Sequence, residues 1–280
     1  MPENSDVVYA LGLLNLQANR IDEASDNFSR LLKLKARDDD ANFYLGQIAE
    51  SRQELGRAIE LYGKVTSGSN HFQAQVRIAL ILSLQNEISP AQAQLHSIEV
   101  QNEEQRFQLV RAEGEILTQH NRYEEAMAVY DRALEASYDM ELLYTRAMLA
   151  EKLDRFDVLE ADLQTIIERE PDNAQVLTQL GERVVGRGEY AEAATLHQRA
   201  LEVSEKKLGP KHADTLLSVH NLGTVLRDQG EYAAAEKLLR RAVAGRTEKL
   251  GATHQDTLNS TNCLAQTLKR QKDQRKRKEL

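Results

Sequence analysis

The chain has 280 residues, 41% of them hydrophobic and 29% charged, with a formal net charge of −8. The longest apolar run, Ile78–Leu82, is far too short to cross a bilayer, and the chain as given shows no charged start followed by the apolar core of a secretory leader. A single cysteine, Cys263, excludes a disulfide-stapled fold, and four prolines, 14 glycines and no tryptophan exclude collagen-like and low-complexity classes, so the composition fits a water-soluble helical protein.

Read from the N-terminus, a small residue in an apolar setting recurs at Gly12, Gly46, Ala79, Gly114, Ala147, Gly181, Gly223 and Ala265. The spacings are 34, 33, 35, 33, 34, 42 and 42 residues. Twelve residues after each of the first seven stand Ala24, Ala58, Ala91, Ala126, Leu159, Ala193 and Ala235. Four residues further come Phe28, Tyr62, Leu95, Tyr130, Leu163, His197 and Leu239. Small, then alanine, then bulky, at this period, is the tetratricopeptide repeat (TPR) pattern. A small residue on one helix lets a second helix approach closely, and the bulky residue fills the space beside the contact.

Each unit then predicts a helical hairpin whose apolar face is covered by its neighbours. Turn signals fall between the small residue and the alanine, at Asn19-Arg20, Leu55-Gly56, Asn121-Arg122-Tyr123, Gly186-Arg187-Gly188 and Gln229-Gly230. Pro171-Asp172-Asn173 stands where one unit hands over to the next, and no useful run alternates apolar and polar residues as a strand would. The expected fold is all-α, an α-α superhelix (TPR solenoid) of about seven helical hairpins plus a C-terminal capping helix near Asp256–Gln271. One solenoid is expected over 1–280, with 34-residue repeats over 5–180, 42-residue repeats and cap over 181–272, and a basic tail over 273–280. In the cap, Asn259 and Thr261 replace the equivalents of Leu217 and Val219, giving a more polar face.

Two finer resemblances follow. The run Glu141–Gly181, within residues 7–181, resembles TPR adaptors anchored to the outer membrane of Gram-negative bacteria, which implies recruitment of a hydrolase or protease partner. Residues 181–272, including LGPKHADTLLSVHNLGTVLRDQGEYAAAEKLLRRA at Leu208–Ala242, are similar to kinesin-light-chain-type repeats. That second likeness implies recognition of short peptide or cargo segments.

Membership of the superfamily implies that first helices line a concave binding surface. Three residues before each small marker stand Tyr9, Phe43, Val76, Arg111, Tyr144, Thr178, His220 and Asn262; one residue after it stand Leu13, Gln47, Leu80, Glu115, Met148, Glu182, Thr224 and Gln266. The first five units thus offer an apolar and aromatic stripe interrupted by Arg111 and Glu115, and aromatic rings make good anchors for a partner. Rings at helical spacing also fill interhelix space. The partner-binding groove is expected at Tyr9, Phe43, Gln47, Arg111, Glu115, Tyr144, Met148, Thr178, His220, Asn221 and Asn262. The second row lacks the asparagine that a chaperone-binding carboxylate clamp resembles, and His220-Asn221-Leu222-Gly223 and Asn262-Cys263-Leu264-Ala265 match a light-chain NNLA-like stretch only in part.

Candidate chemistry gives way to the repeat. Gly186-Arg187-Gly188-Glu189-Tyr190-Ala191 matches a dinucleotide fingerprint but follows a helix, not the strand such a site needs. His212/Asp214 and His254/Asp256 recur in successive units, roughly 10 Å or more apart by helix packing, too far for one zinc ion. Asp214 and Asp256 read as helix N-caps, and Cys263 as a buried structural thiol. No catalytic residue, metal or cofactor is expected, and the chain is not read as an enzyme. Lys269–Lys278 carries seven basic residues and one acid; without an interleaved aromatic it gives little reason to expect nucleic acid. It could instead bind an acidic surface or segment, or be the solvated end of the cap. A protein or peptide partner and a cytoplasmic location are expected, the latter periplasmic if a lipoprotein leader has been omitted.

Overall fold

The computed structural model describes residues 4–278, and among them it holds fifteen helices and no strand. The chain divides into two compact units, 1–142 and 143–280. The first contains α1 (Ser5–Gln17), α2 (Ile21–Lys33), α3 (Asp38–Ser51), α4 (Leu55–Tyr62), α5 (His71–Leu84), α6 (Ile88–His96), α7 (Glu103–Gln119) and α8 (Tyr123–Ala136). Helix α9 (Met140–Lys152) begins at its end. The second unit continues with α10 (Phe156–Arg169), α11 (Ala174–Gly186), α12 (Tyr190–Leu208), α13 (Ala213–Gln229), α14 (Tyr232–Leu250) and α15 (Gln255–Lys278). The helices pair as seven hairpins, α1 with α2 through α13 with α14, and α15 stands as the first helix of an eighth position.

The repeat residues explain the packing. Each of the six alanines that follow the markers is 0% exposed, and Leu159, which takes that place in the fifth copy, is 1% exposed. The bulky residues lie directly against the markers. A Cβ added at Gly12 would sit 2.7 Å from the Phe28 ring, at Gly46 2.7 Å from Tyr62, and at Gly181 2.7 Å from His197. At Gly114 it would come within 2.0 Å of the Tyr130 hydroxyl. Where the marker is alanine, at Ala79 and Ala147, the facing residue is the smaller Leu95 or Leu163. Burial of each such Leu or Phe contributes about 1.5–3 kcal/mol, and the close contact fixes the spacing between the paired helices.

Every hairpin turns in the same way. The seventh residue after each marker is left-handed: Asn19, Gln53, Asn86, Asn121, Asp154, Gly188 and Gly230, with φ from 56° to 90°. In the first hairpin the Arg20 N–H donates to the Asn15 carbonyl and Asn19 N–H to Leu16, and this double closure of the helix end recurs at all seven turns. The Leu55-Gly56 turn expected from sequence is corrected here. Those residues open α4, and the left-handed position falls on Gln53.

Three other local expectations change. The caps of α13 and α15 are not Asp214 and Asp256: His212 Nδ1 accepts from the Asp214 N–H at 3.3 Å and His254 Nδ1 from the Asp256 N–H at 3.2 Å. The imidazole accepts from the free amide of the second helical residue, whose carboxylate sits in the first turn, where it favours the helix dipole. Helix α15 runs to Lys278, beyond Gln271, so most of the basic segment is helical. Cys263 is half-buried, because α15 packs against α13 and α14 along one side only. Its buried positions are the small hydroxyls Thr257, Ser260 and Thr267; Ser260 and Thr267 turn back onto the Asp256 and Cys263 carbonyls of their own helix. Asn259 and Thr261 are exposed.

Candidate functional site

The first helices of the hairpins carry the expected groove residues, and the structure sorts them. In the first unit Phe43 is only 6% exposed. Its ring packs edge-on to Tyr44 at 5.3 Å between centroids and against Tyr62 at 5.9 Å. Val76, in the equivalent place on α5, is likewise buried. The apolar stripe of these two helices therefore belongs to the core. Tyr9 is half-buried beside Phe28 and Tyr44, with the Arg37 guanidinium 4.5 Å over its ring. Burial, and a hydrogen bond with Tyr44, push its hydroxyl up to about 12.

Gln47 is exposed, and with Phe43, Glu50, Arg77 and Leu84 it lines a cavity of about 560 Å³ between α3 and α5. Arg77 Nε donates to Glu50 at 3.0 Å, and the Tyr62 hydroxyl donates to the same carboxylate at 2.9 Å. On α7, Arg111 has ion-pair partners in Glu104 at 3.5 Å, Asp139 at 3.4 Å and Glu141 at 3.3 Å. Glu115 is exposed and accepts from Gln119 of its own helix.

The second unit brings more of the expected residues together. The Tyr144 hydroxyl accepts from Gln175 at 2.5 Å and Gln179 at 3.0 Å, and the Gln179 amide also meets the Met148 sulfur at 3.5 Å. Asn221 Nδ2 donates to Glu182 at 3.0 Å. His220 is half-buried, its Nδ1 3.2 Å from the Ser260 hydroxyl. Burial and the nearby Arg246 and Arg227 guanidiniums push its imidazole down to about 4. Thr178 turns its hydroxyl onto the Ala174 carbonyl, whereas Asn262 is exposed.

The face offered to solvent is wider than the two expected rows. It extends one turn toward the N-terminus of each first helix, to Gln73, Gln175 and Leu217, and takes in Arg77 and Gln179. Those positions precede the marker by six and two residues, so a 3.6-residue period extended one turn back reaches them. Several face residues are tied to a neighbouring first helix: Gln73 to Gln108, Arg77 to Glu50, Gln175 to Tyr144, and Asn221 to Glu182. The result within each unit is a row of amides and carboxylates in register, able to hydrogen-bond a partner along its length. Among the described residues, no group of three His, Cys, Asp or Glu side chains gathers as a metal site would. No helix there is long and apolar enough to cross a membrane.

Stacked helical hairpins with small-residue contacts and a polar first-helix face define an all-α repeat protein of the interaction-scaffold class. The chain belongs to the tetratricopeptide repeat superfamily, whose families match residues 9–68, 114–158, 172–248 and 216–276. Members of this superfamily are generally protein-interaction scaffolds, and the fold is typically non-catalytic. A TPR repeat-containing protein of Pseudomonas aeruginosa is 34% identical over 174 residues, which is 61% of this chain. The chain spans 29% of the length of that relative. Among solved structures, the C-terminal part of a TPR repeat-containing protein from Cytophaga hutchinsonii matches with a TM-score of 0.66 at 11% identity, over 90% of this chain and 98% of that one. BtubC (BKLC) from P. vanneervenii matches with a TM-score of 0.50 at 16% identity, over 78% and 85%. At these identities the structural likeness concerns the fold.

Proposed function

We propose that the chain is a non-catalytic scaffold or adaptor that holds a protein partner on the concave, solvent-facing side of its first helices. The observation that carries this reading is the face itself. Successive first helices in each unit present long polar side chains, linked from hairpin to hairpin, while the repeat's alanines and most of its bulky residues pack the hairpins together and a few apolar side chains such as Leu84 and Leu217 stay exposed. A partner laid along such a row gains many modest hydrogen bonds and loses little freedom of the receptor, because the ties already order it. The finer version, recruitment of a hydrolase or protease, is supported by the resemblance of Glu141–Gly181 to bacterial outer-membrane adaptors.

The test is capture of a partner from bacterial lysate, reconstituted with the purified partner, by the native chain and by a triple variant, Gln47→Lys, Glu115→Lys and Asn262→Lys. All three side chains are exposed, so the variant should keep its circular dichroism and thermal midpoint while losing capture. A folded triple variant that still binds would move the site off this face. A second reading, recognition of a short peptide in the manner of kinesin light chains, is favoured by Asn221, whose amide lies on the face beside Glu182. It predicts that an unfolded segment of the partner binds as well as the folded protein.

A further inference from the structure

Between α11 and α13, with the end of α12 as a wall, lies a cavity of about 330 Å³. That is at the small end for a ligand site, room for one or two side chains. Two of its lining residues, Leu208 and Leu217, are 46% and 42% exposed, an apolar pair left open to solvent. The others include Glu182 and Asp214.

The two charged residues that line the cavity, Glu182 and Asp214, are both acidic. Glu182 accepts a hydrogen bond from Asn221, and among the described residues no Lys, Arg or His side chain pairs with it. Burial, and the neighbouring carboxylate of Glu151, push its carboxyl above the usual range. Glu151 is exposed and has no cationic partner of its own among the described residues. Asp214, 69% exposed at its side chain, has His212 at 3.6 Å as its ion-pair neighbour among the described residues. Glu182 stands on the exposed rim of the cavity, and a carboxylate beside a second one is relieved by an incoming cation that pairs with it.

We propose that this cavity is the specificity pocket of the partner-binding face, and that it takes a segment in which an aliphatic side chain stands next to lysine or arginine. The aliphatic group covers Leu208 and Leu217 while the cation pairs with Glu182. The inference rests on the first-helix face being the binding surface, and it adds the chemistry of what is recognised there. It also runs opposite to selection of acidic segments by the basic end of α15.

The experiment is fluorescence anisotropy of the full chain with three labelled peptides. One carries two leucines flanked by arginine and lysine in a glycine–serine context; the second replaces the basic residues by glutamate; the third replaces the leucines by serine. The basic–aliphatic peptide should bind at least tenfold more tightly than either counterpart, and raised salt should weaken it. Glu182→Gln should weaken it about tenfold, the scale of one charge-assisted hydrogen bond. Leu217→Ser should also weaken it, while Glu236→Gln on α14 leaves it unchanged. Equal or tighter binding of the glutamate peptide, or an unchanged affinity in Glu182→Gln, overturns the inference. So does absence of binding by all three peptides up to about 1 mM, a threshold worth only about 4 kcal/mol of binding. Capture of a folded partner, and its loss in the triple lysine variant, is a separate measurement, so the scaffold reading can stand while this one falls.

Discussion

His197 offers a direct measurement of how tightly the repeat contact is sealed. The imidazole is 1% exposed, lies against Gly181 where other hairpins place Phe28, Tyr62 or Tyr130, and its Nδ1 has no hydrogen-bond partner. Burial pushes it down from 6.5 to about 4. The fold therefore holds the neutral ring, while the unfolded chain takes up a proton near pH 6.5. The contribution is fully present above that value and is lost as the pH falls from 6.5 toward 4. With about 1.36 kcal/mol per unit, the loss attributable to His197 is about 2 kcal/mol at pH 5 and about 3 kcal/mol below pH 4. Replacement by leucine, the residue at the equivalent positions 95, 163 and 239, removes the titrating group while keeping an apolar filler. Urea unfolding followed by circular dichroism at pH 7.5 and pH 5.0 gives the stability difference between native and His197→Leu chains at each pH. That difference should shift by about 2 kcal/mol in favour of the variant at the lower pH. His220, also held near 4, titrates in both proteins and cancels. A difference that does not move with pH would mean that the ring is solvated or partnered in solution, and the sealed contact would be refuted.

Other consequences concern packing and turns. Gly114→Ala should destabilise the chain by about 1–3 kcal/mol, because its Cβ would meet the rigid Tyr130 ring. Adding Tyr130→Leu should recover part of that loss, since Ala79 with Leu95 and Ala147 with Leu163 show the alternative pairing; a double-mutant cycle with no coupling would contradict it. Gln53→Gly should raise stability by about 1 kcal/mol in thermal or urea unfolding by relieving a left-handed side-chain residue. Glu50→Ala should cost about 1–3 kcal/mol by stranding the Tyr62 hydroxyl and Arg77, and a much smaller loss would show that water satisfies both.

The hairpins were legible in the sequence because their determinants are short-range and repeat. Gly12 and Phe28, or Gly46 and Tyr62, stand sixteen residues apart in every copy, and complementary size at that fixed offset needs no knowledge of tertiary geometry. The caps were less legible. Asp214 and Asp256 are good N-cap residues by type, but the extended backbone at His212 brings its ring, not the Asp214 carboxylate, to the free amide, and His254 makes the same contact. The face was legible only in outline. Its ties join residues 27 to 39 positions apart, such as Arg77 to Glu50 or Asn221 to Glu182, and which side chain reaches which depends on the stagger between helices. Phe43 shows the limit: one ring on a helix surface can serve a partner or the core, and here Tyr44 and Tyr62 have claimed it.

The change from a 34-residue to a 42-residue period has a physical consequence for function. The offsets of 12 and 16 residues from marker to alanine and bulky residue are kept at Gly223, Ala235 and Leu239, as they are at Gly12, Ala24 and Phe28. The hairpin contact therefore does not feel the insertion. The added residues lengthen helix ends away from that contact: α12 and α14 each have 19 residues, against 13 in α2. In α12 the extra length reaches Leu208, 27 residues after its marker Gly181, whereas α2 ends at Lys33, 21 residues after Gly12. Leu208 and the neighbouring Ser204 are the α12 residues that wall the cavity beside Glu182 and Leu217. A repeat of the shorter period has no helical turn at Leu208's position, so lengthening the unit is what gives that wall its end without disturbing the core beneath it.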